Sequence, residues 1–383
     1  MTGRLVYIGD HQVTFSFGGH AFMAKLLEAV EGADRLVVEA GAEVTPVPER
    51  LPGIEYRRWR FPLDRLERSR FTRWHARWLL ATGGLRSRAI ARAASLRSSD
   101  LVVTVAHDFA WLSAVDAASL AGARCAVFVH DEWCQIYGAR FSSAARAASL
   151  YSRSLAKADR VLAVSEGMQE HLKSAYAVDS EVFLPPRRKV TVRAHRRERP
   201  AGRPFRFAYC GQLWAGYWET LKQLAAIGLR HGWELDIYSN EAGRRTAGGE
   251  FPNVRTHAFL PEADLTRHLA READALVVAL PFDAGDSVMV KTMFSSKMAE
   301  YTSTELPVVI MAPPESNMAR WGKDAGCFLL IDRVEPDFQE QVLRSLVEDP
   351  AKQISLGKKS ADLGEDVFSA DRAVEWLVKD RGR

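Results

Sequence analysis

The apolar positions of this chain fall into short runs separated by longer stretches of helical period. In the first half the runs Arg4–Ile8, Arg35–Glu39, Leu101–Val105, Cys125–Val129, Arg160–Val164 and Glu181–Phe183 read as strands. Helical patterns over Gly19–Ala29, Arg70–Leu96, Phe109–Ala121, Ala144–Ala158 and Gly167–Ala175 lie between them. The strand runs are continuous instead of alternating, as expected where helices cover both faces of a sheet. The rhythm restarts after residue 204. Strands are expected at Phe205–Tyr209, Glu234–Tyr238, Val254–Ala258, Ala275–Ala279, Val308–Ile310 and Cys327–Leu330. Helices are expected at Glu219–Leu229, Glu262–Arg271, from Ser295, at Phe338–Glu348 and at Ala370–Lys379. The pattern predicts an α/β protein of two doubly wound parallel sheets, with ligands at the carboxyl ends of the strands in a cleft between the halves. The domains are 1–186 and 205–366, with a closing helix, 367–383, placed back on the first.

Between the halves, Pro185-Pro186 precede nine Arg or Lys from Arg187 to Arg206 against one acid, Glu198, so 187–204 reads as a basic linker. A length of 383 residues suits two domains, and 47% hydrophobic with 26% charged residues excludes a disordered or fibrous chain. No apolar run reaches the length of a membrane span, and the start is too short and polar for a signal peptide. Cys125, Cys134, Cys210 and Cys327 lack metal-ligand spacing and read as reduced thiols of a cytosolic protein. The net charge of +4 hides an asymmetry. Residues 1–206 hold 32 basic against 21 acidic residues, a net of +11, and residues 207–383 hold 20 against 27, a net of −7. The two halves are built for different partners.

The segment Phe294-Ser295-Ser296-Lys297-Met298-Ala299-Glu300-Tyr301, followed by Leu306-Pro307-Val308-Val309-Ile310, is the most specific chemistry in the chain. Read physically, Ser295 opens a helix whose first amides and serine hydroxyls form an anion site. A cation in the first turn is unfavourable, so Lys297 makes sense if a diphosphate sits there. Glu300, three residues on, shares its face and is placed to accept hydrogen bonds from sugar hydroxyls. A capped surface helix explains the same residues without a ligand. Gly18-Gly19 allow close backbone approach at a helix start, and His130-Asp131 end a strand, as do His107-Asp108. Dinucleotide-type and P-loop glycine patterns, a nucleophile elbow and a His/Cys ligand cluster are absent from the sequence.

Together these segments resemble retaining glycosyltransferases of the GT-B fold, the group 1 or family 4-like enzymes, and the resemblance spans most of the chain. It rests on Gly18-Gly19, Val129-His130-Asp131, the Ala158–Met168 segment, Tyr209-Cys210-Gly211-Gln212-Leu213, Glu272–Val278 and the Ser295–Tyr301 turn. It implies two Rossmann-like domains facing across a cleft, an acceptor domain and then a nucleotide-sugar donor domain. It implies transfer of a sugar from a nucleotide-diphosphate donor to a glycan or lipid-linked hydroxyl, with retention and without a metal or other cofactor. His130, Lys297 and Glu300 would be catalytic. Gly211, Lys291, Ser295, Ser296 and Leu260 would bind donor, the last in the Ala258–Leu260 stretch expected to meet the base. Gly18, Gly19 and Asp131 would face the acceptor. Departures are plain: Thr292 stands where the family often has a first glutamate, and Tyr217 near where it has a lysine. Lys297, then Lys291, then Lys222 could supply that missing charge.

Between Arg57 and Arg97 stand twelve Arg, no Lys and only Asp64 and Glu67 as acids. A helix there would align Phe71, Trp74, Trp78 and Leu85 beside Arg70, Arg73, Arg77 and Arg88, which suits an anionic membrane surface or a helix packed on the sheet. The expectation is a cytoplasmic enzyme with membrane association through this segment and no nucleic-acid partner. Two other readings fit the architecture. A nucleotide-sugar epimerase or hydrolase would use Asp131, Asp283 and Asp286 as acid and base. A non-enzymatic module would bind anionic polymers or lipids on its basic face.

Overall fold

The expected runs become strands of two all-parallel sheets in the computed structural model, which describes residues 3–15, 18–30, 32–40, 50–60, 66, 69–189, 193–195, 200, 202–284 and 287–378. The first sheet contains β1 (Leu5–Gly9), β2 (Arg35–Glu39), β3 (Glu55–Arg58), β4 (Leu101–Val105), β5 (Arg124–Val129), β6 (Arg160–Ala163) and β7 (Glu181–Val182). Its order is β3-β2-β1-β4-β5-β6-β7. The second contains β8 (Arg206–Cys210), β9 (Glu234–Tyr238), β10 (Val254–His257), β11 (Ala275–Ala279), β12 (Val308–Met311) and β13 (Leu329–Ile331), ordered β10-β9-β8-β11-β12-β13. Each order reverses once, between β1 and β4 and between β8 and β11. Those reversals are where an open α/β sheet leaves a crevice at its strand ends.

The chain divides into two compact units, Met1–Leu184 with Ala373–Arg383, and Pro185–Arg372. In the first, Leu5, Tyr7, Phe22, Leu101 and Phe128 form the core with Ala373 and Leu377 of the closing helix. In the second, Phe207, Tyr209, Trp218, Leu221, Ile237 and Val277 do so. The basic stretch 187–204 is, in its described part, anchored to the second unit. Ala194 bridges Thr304, Arg193 pairs with Glu305 and Asp362, and Arg203 pairs with buried Asp274. Those carboxylates hold its charge; a free tether would have left it solvated.

Acidic residues before strands recur as fold-builders. Asp159 Oδ2 accepts from the Cys125 amide at 2.8 Å, tying β6 to β5. Asp274 accepts from the Arg206 amide at 2.9 Å, tying β11 to β8. In the Ala158–Met168 segment, Ser165 Oγ caps the helix Glu166–Tyr176 by accepting from the Met168 amide. Much of the quoted resemblance therefore carries fold instead of chemistry. Burial raises all four thiols, Cys210 to about 12 and Cys134 and Cys327 to about 11, and none forms a disulfide.

Candidate active site

Residues 294–301 sit at the reversal of the second sheet. The helix is shorter than expected, Lys297–Tyr301, with Ser296 as its N-cap and no side-chain cap bond. Ser295 is buried just before it. Its Oγ has no hydrogen-bond partner, and its amide donates to Met318 Sδ at 3.3 Å. Serine hydroxyls thus do not cap this helix; one of them is a buried polar atom left for something else. Tyr301, fully buried, fixes the turn in place. Its hydroxyl accepts from the Cys210 amide at 2.9 Å and donates to the Val277 carbonyl at 3.4 Å, so it bridges β8 and β11 where the order reverses.

That anchor aims Lys297 at the end of β8. A Cβ built on Gly211 would lie 2.1 Å from Lys297 Cε and 2.7 Å from Nζ, so only glycine leaves room for the ammonium there. Gly211 also adopts φ +149°, donates to the Tyr238 carbonyl at 2.9 Å, and accepts from Ser239 Oγ at 2.8 Å. The ammonium lies 5.1 Å from the Tyr209 ring centroid. Burial lowers the Lys297 pKa from 10.5, opposed by Cys210 and Glu300. An anion at this strand end would relieve the cost of holding a cation in so dry a place.

Other candidates fall around this point or away from it. Glu300, half-buried, lies one turn along the same helix. Lys291 lies in the last turn of the short helix Val288–Thr292, and Thr292, at the missing glutamate's position, is buried with its hydroxyl on the Val288 carbonyl. Lys222 is occupied by Glu219 at 3.0 Å and Glu250 at 3.2 Å, which removes it as a phosphate ligand. Leu260 is half-buried in the loop after β10. Beside that strand Tyr238 stacks on His257 at 4.6 Å, and His257 meets buried Asp236 at 2.7 Å. Asp283 lies in a turn by Gly216, and Asp286 is outside the described residues.

The first unit gathers histidines at its own reversal, which sequence reading only half anticipated. His130 follows β5 and packs edge-on against Phe22 at 4.2 Å; its Nε2 is buried without a partner. His107 follows β4, stacks on His11 at 4.1 Å, and meets the Tyr137 hydroxyl through Nε2 at 3.0 Å. His20 packs on His11 at 4.5 Å and donates through Nδ1 to the Gln12 carbonyl. Gly18 and Gly19 open the helix Gly18–Ala29 that carries His20, while Asp131 is exposed. Asp10 accepts from the Phe109 and Ala110 amides, capping the helix after β4. The helix Trp133–Tyr137 was missed because five residues leave no periodic signal. Among the described residues no three His, Cys, Asp or Glu converge as metal ligands do.

Burial, then His107, pushes the His130 pKa from 6.5 down to about 4. The unfolded chain therefore takes up a proton that the fold refuses. Stability is full above about pH 6.5 and falls as pH drops toward 4. His130→Gln flattens that part of the unfolding-versus-pH curve; an unaltered slope would contradict the buried, neutral imidazole.

The expected aromatic stripe is divided by the fold. Phe71, Trp74 and Leu85 are exposed, Trp74 at 66%, but Trp78 turns inward beside buried Arg86, 5.2 Å from its ring. The residues at 61–65, 67 and 68, with Asp64 and Glu67, lie outside the described residues. No helix of the described residues is long and apolar enough to cross a membrane.

Residues 18–187 match the family described as the glycosyl transferase 4-like domain. Among curated proteins none matches significantly. Solved structures share the whole-chain fold. An α,α-trehalose 6-phosphate synthase from Burkholderia multivorans has a TM-score of 0.66 at 13% identity, over 99% of this chain and 96% of its own. The lipopolysaccharide outer core galactosyltransferase WaaB gives 0.60 at 16% over 98% and 99%. The HepE protein of Anabaena, solved with UDP and glucose, gives 0.63 at 11% over 97% of each chain.

Proposed function

We propose that this chain, which has the GT-B fold and whose residues 18–187 match the glycosyl transferase 4-like domain, is a glycosyltransferase whose second unit holds a nucleotide-diphosphate sugar at the Gly211–Lys297 contact. The single observation carrying this is the Lys297 side chain laid over the one residue at the end of β8 that has no side chain. In this reading the diphosphate meets Lys297 and the Ser295 and Ser296 segment, with Lys291 second. Glu300 holds ribose hydroxyls, and the base lies along the loop at Leu260. The HepE protein's UDP and glucose make a uridine nucleotide the first to try.

The first unit takes the hydroxyl acceptor, a glycan or lipid-linked saccharide, past Gly18, Gly19 and Asp131, with His130 assigned to the sugar in transit. The bond from the anomeric carbon to the phosphate oxygen breaks as the acceptor oxygen bonds to the same face, and the acceptor proton passes to the departing phosphate. Lys297 stabilises that developing charge without a metal. Exposed Trp74, Phe71 and Leu85 beside the arginines of 57–97 favour peripheral contact with anionic membranes. Binding to vesicles rich in anionic lipid that Trp74→Ser weakens severalfold checks that contact.

Retention is tested by proton NMR of the glycoside formed. The anomeric configuration should match the donor's, and inversion would overturn the front-face reading. Complete conversion of donor without acceptor would favour an epimerase or hydrolase.

A further inference from the structure

We infer that the first unit carries a second anion site, shaped for a phosphate group on the acceptor; the inference rests on the transferase reading above. A cavity of about 600 Å³ lies between the helix Thr72–Ala93 and the residues after Tyr137. That volume is in the range of small-molecule pockets, roughly 300–1,000 Å³. From the helix come Arg73 and Arg77, at i and i+4, with Ala76 and Leu80 between and beyond them on the same face. This face adjoins the one bearing Trp74. Across the cavity stand Arg140 and Arg146, with Ser142 as a hydroxyl.

Four guanidinium groups therefore line one concavity, and none of the described residues lining it is a carboxylate. Among the described residues Arg73, Arg77 and Arg146 enter no ion pair. Aromatic rings hold two of the cations: Arg140 lies 4.9 Å from the Tyr137 ring and Arg77 lies 5.6 Å from Trp74. Like charges gathered this way repel until an anion arrives, and planar forks suit phosphate oxygens in pairs. A monoanionic carboxylate would leave most of the charge of Arg73, Arg77 and Arg146 unmatched; a phosphate ester or diphosphate would not. Tyr137 links the cavity to the strand-end histidines, since the ring under Arg140 bears the hydroxyl that meets His107. An acceptor anchored here by its phosphate would present its hydroxyl along that line.

The test uses the full chain and inorganic pyrophosphate, followed by titration calorimetry at low salt. Two independent sites are expected. Arg73→Ala/Arg146→Ala should weaken one by more than about tenfold, since a charge-assisted bond to phosphate is worth more than an ordinary one. Lys297→Ala should weaken the other. Both arginines are exposed, so the pair should melt as the parent does, and Arg77→Gln gives an independent second variant. Competition by glucose 6-phosphate would mark a soluble sugar phosphate as the source. Competition only by vesicles containing phosphatidic acid would mark a lipid phosphate. Pyrophosphate binding unchanged in both arginine variants would overturn the site. Failure of every nucleotide to bind, with the arginine-dependent site intact, would instead count against the transferase reading.

Discussion

Lys297→Ala lowers the rate of sugar transfer by about two to three orders of magnitude, the usual cost of removing one preorganised charge from a developing anion. The expectation follows from placement. Tyr301 pins the helix between β8 and β11, and the lysine at its start lies over Gly211. Lys222 does not substitute, because it is held by two glutamates. Gly211→Ala reaches the same result from the opposite side. Its Cβ would claim the place of Lys297 Cε, and φ +149° strains any side chain, so activity falls while the ammonium itself remains in the protein. Steady-state kinetics with radiolabelled donor measure both. A lysine variant within a few-fold of wild type would remove Lys297 from the reaction.

Glu300→Ala raises the KM for donor by roughly 10- to 100-fold with a smaller change in kcat. Losing a carboxylate that accepts hydrogen bonds removes about 1.5–3 kcal/mol of binding shared by ground and transition states. Glu300→Gln keeps one acceptor oxygen and recovers part of the loss. On the proposed reading that split separates two roles in one turn, lysine on the leaving charge and glutamate on the bound nucleotide. A fall in kcat with KM unchanged would instead place Glu300 at the reacting sugar.

Strand positions were legible wherever a run of apolar residues is covered on both faces, as in Leu101–Val105 and Ala275–Ala279. β3 was not, because Glu-Tyr-Arg-Arg at a sheet edge buries little and shows no apolar run. The helices Glu241–Ala247, Asn317–Ala325 and Pro350–Val367 escaped notice for a related reason. The last packs through Gly357 and Gly364, whose missing Cβ atoms would strike the Glu305 carbonyl at 2.0 Å and the Thr302 hydroxyl at 2.3 Å. Close packing on glycine leaves no hydrophobic stripe to read. In the site, the residue types at 295–301 were visible, but the contact of Lys297 with Gly211, 86 residues earlier, exists only once β8 and β11 are neighbours. The same holds for Tyr301, whose hydroxyl has a role only between two strands. The histidine group at β1, β4 and β5 and the arginine cavity also assemble from distant segments, which pattern alone cannot join.

The halves' opposite charges acquire a local meaning from these placements. On the proposed donor reading, an acidic second unit would admit a diphosphate through one lysine and the backbone at a strand end, since its overall field opposes anions. The most direct measurement is a thermal-shift titration of wild type and Lys297→Ala with UDP, GDP, ADP, CDP and dTDP. A ligand that binds only the fold raises its melting point by mass action. One diphosphate nucleotide should stabilise wild type strongly and the variant little, while both melt alike without ligand. Equal stabilisation of the two proteins, or none by any nucleotide, would contradict a donor site at Gly211 and Lys297.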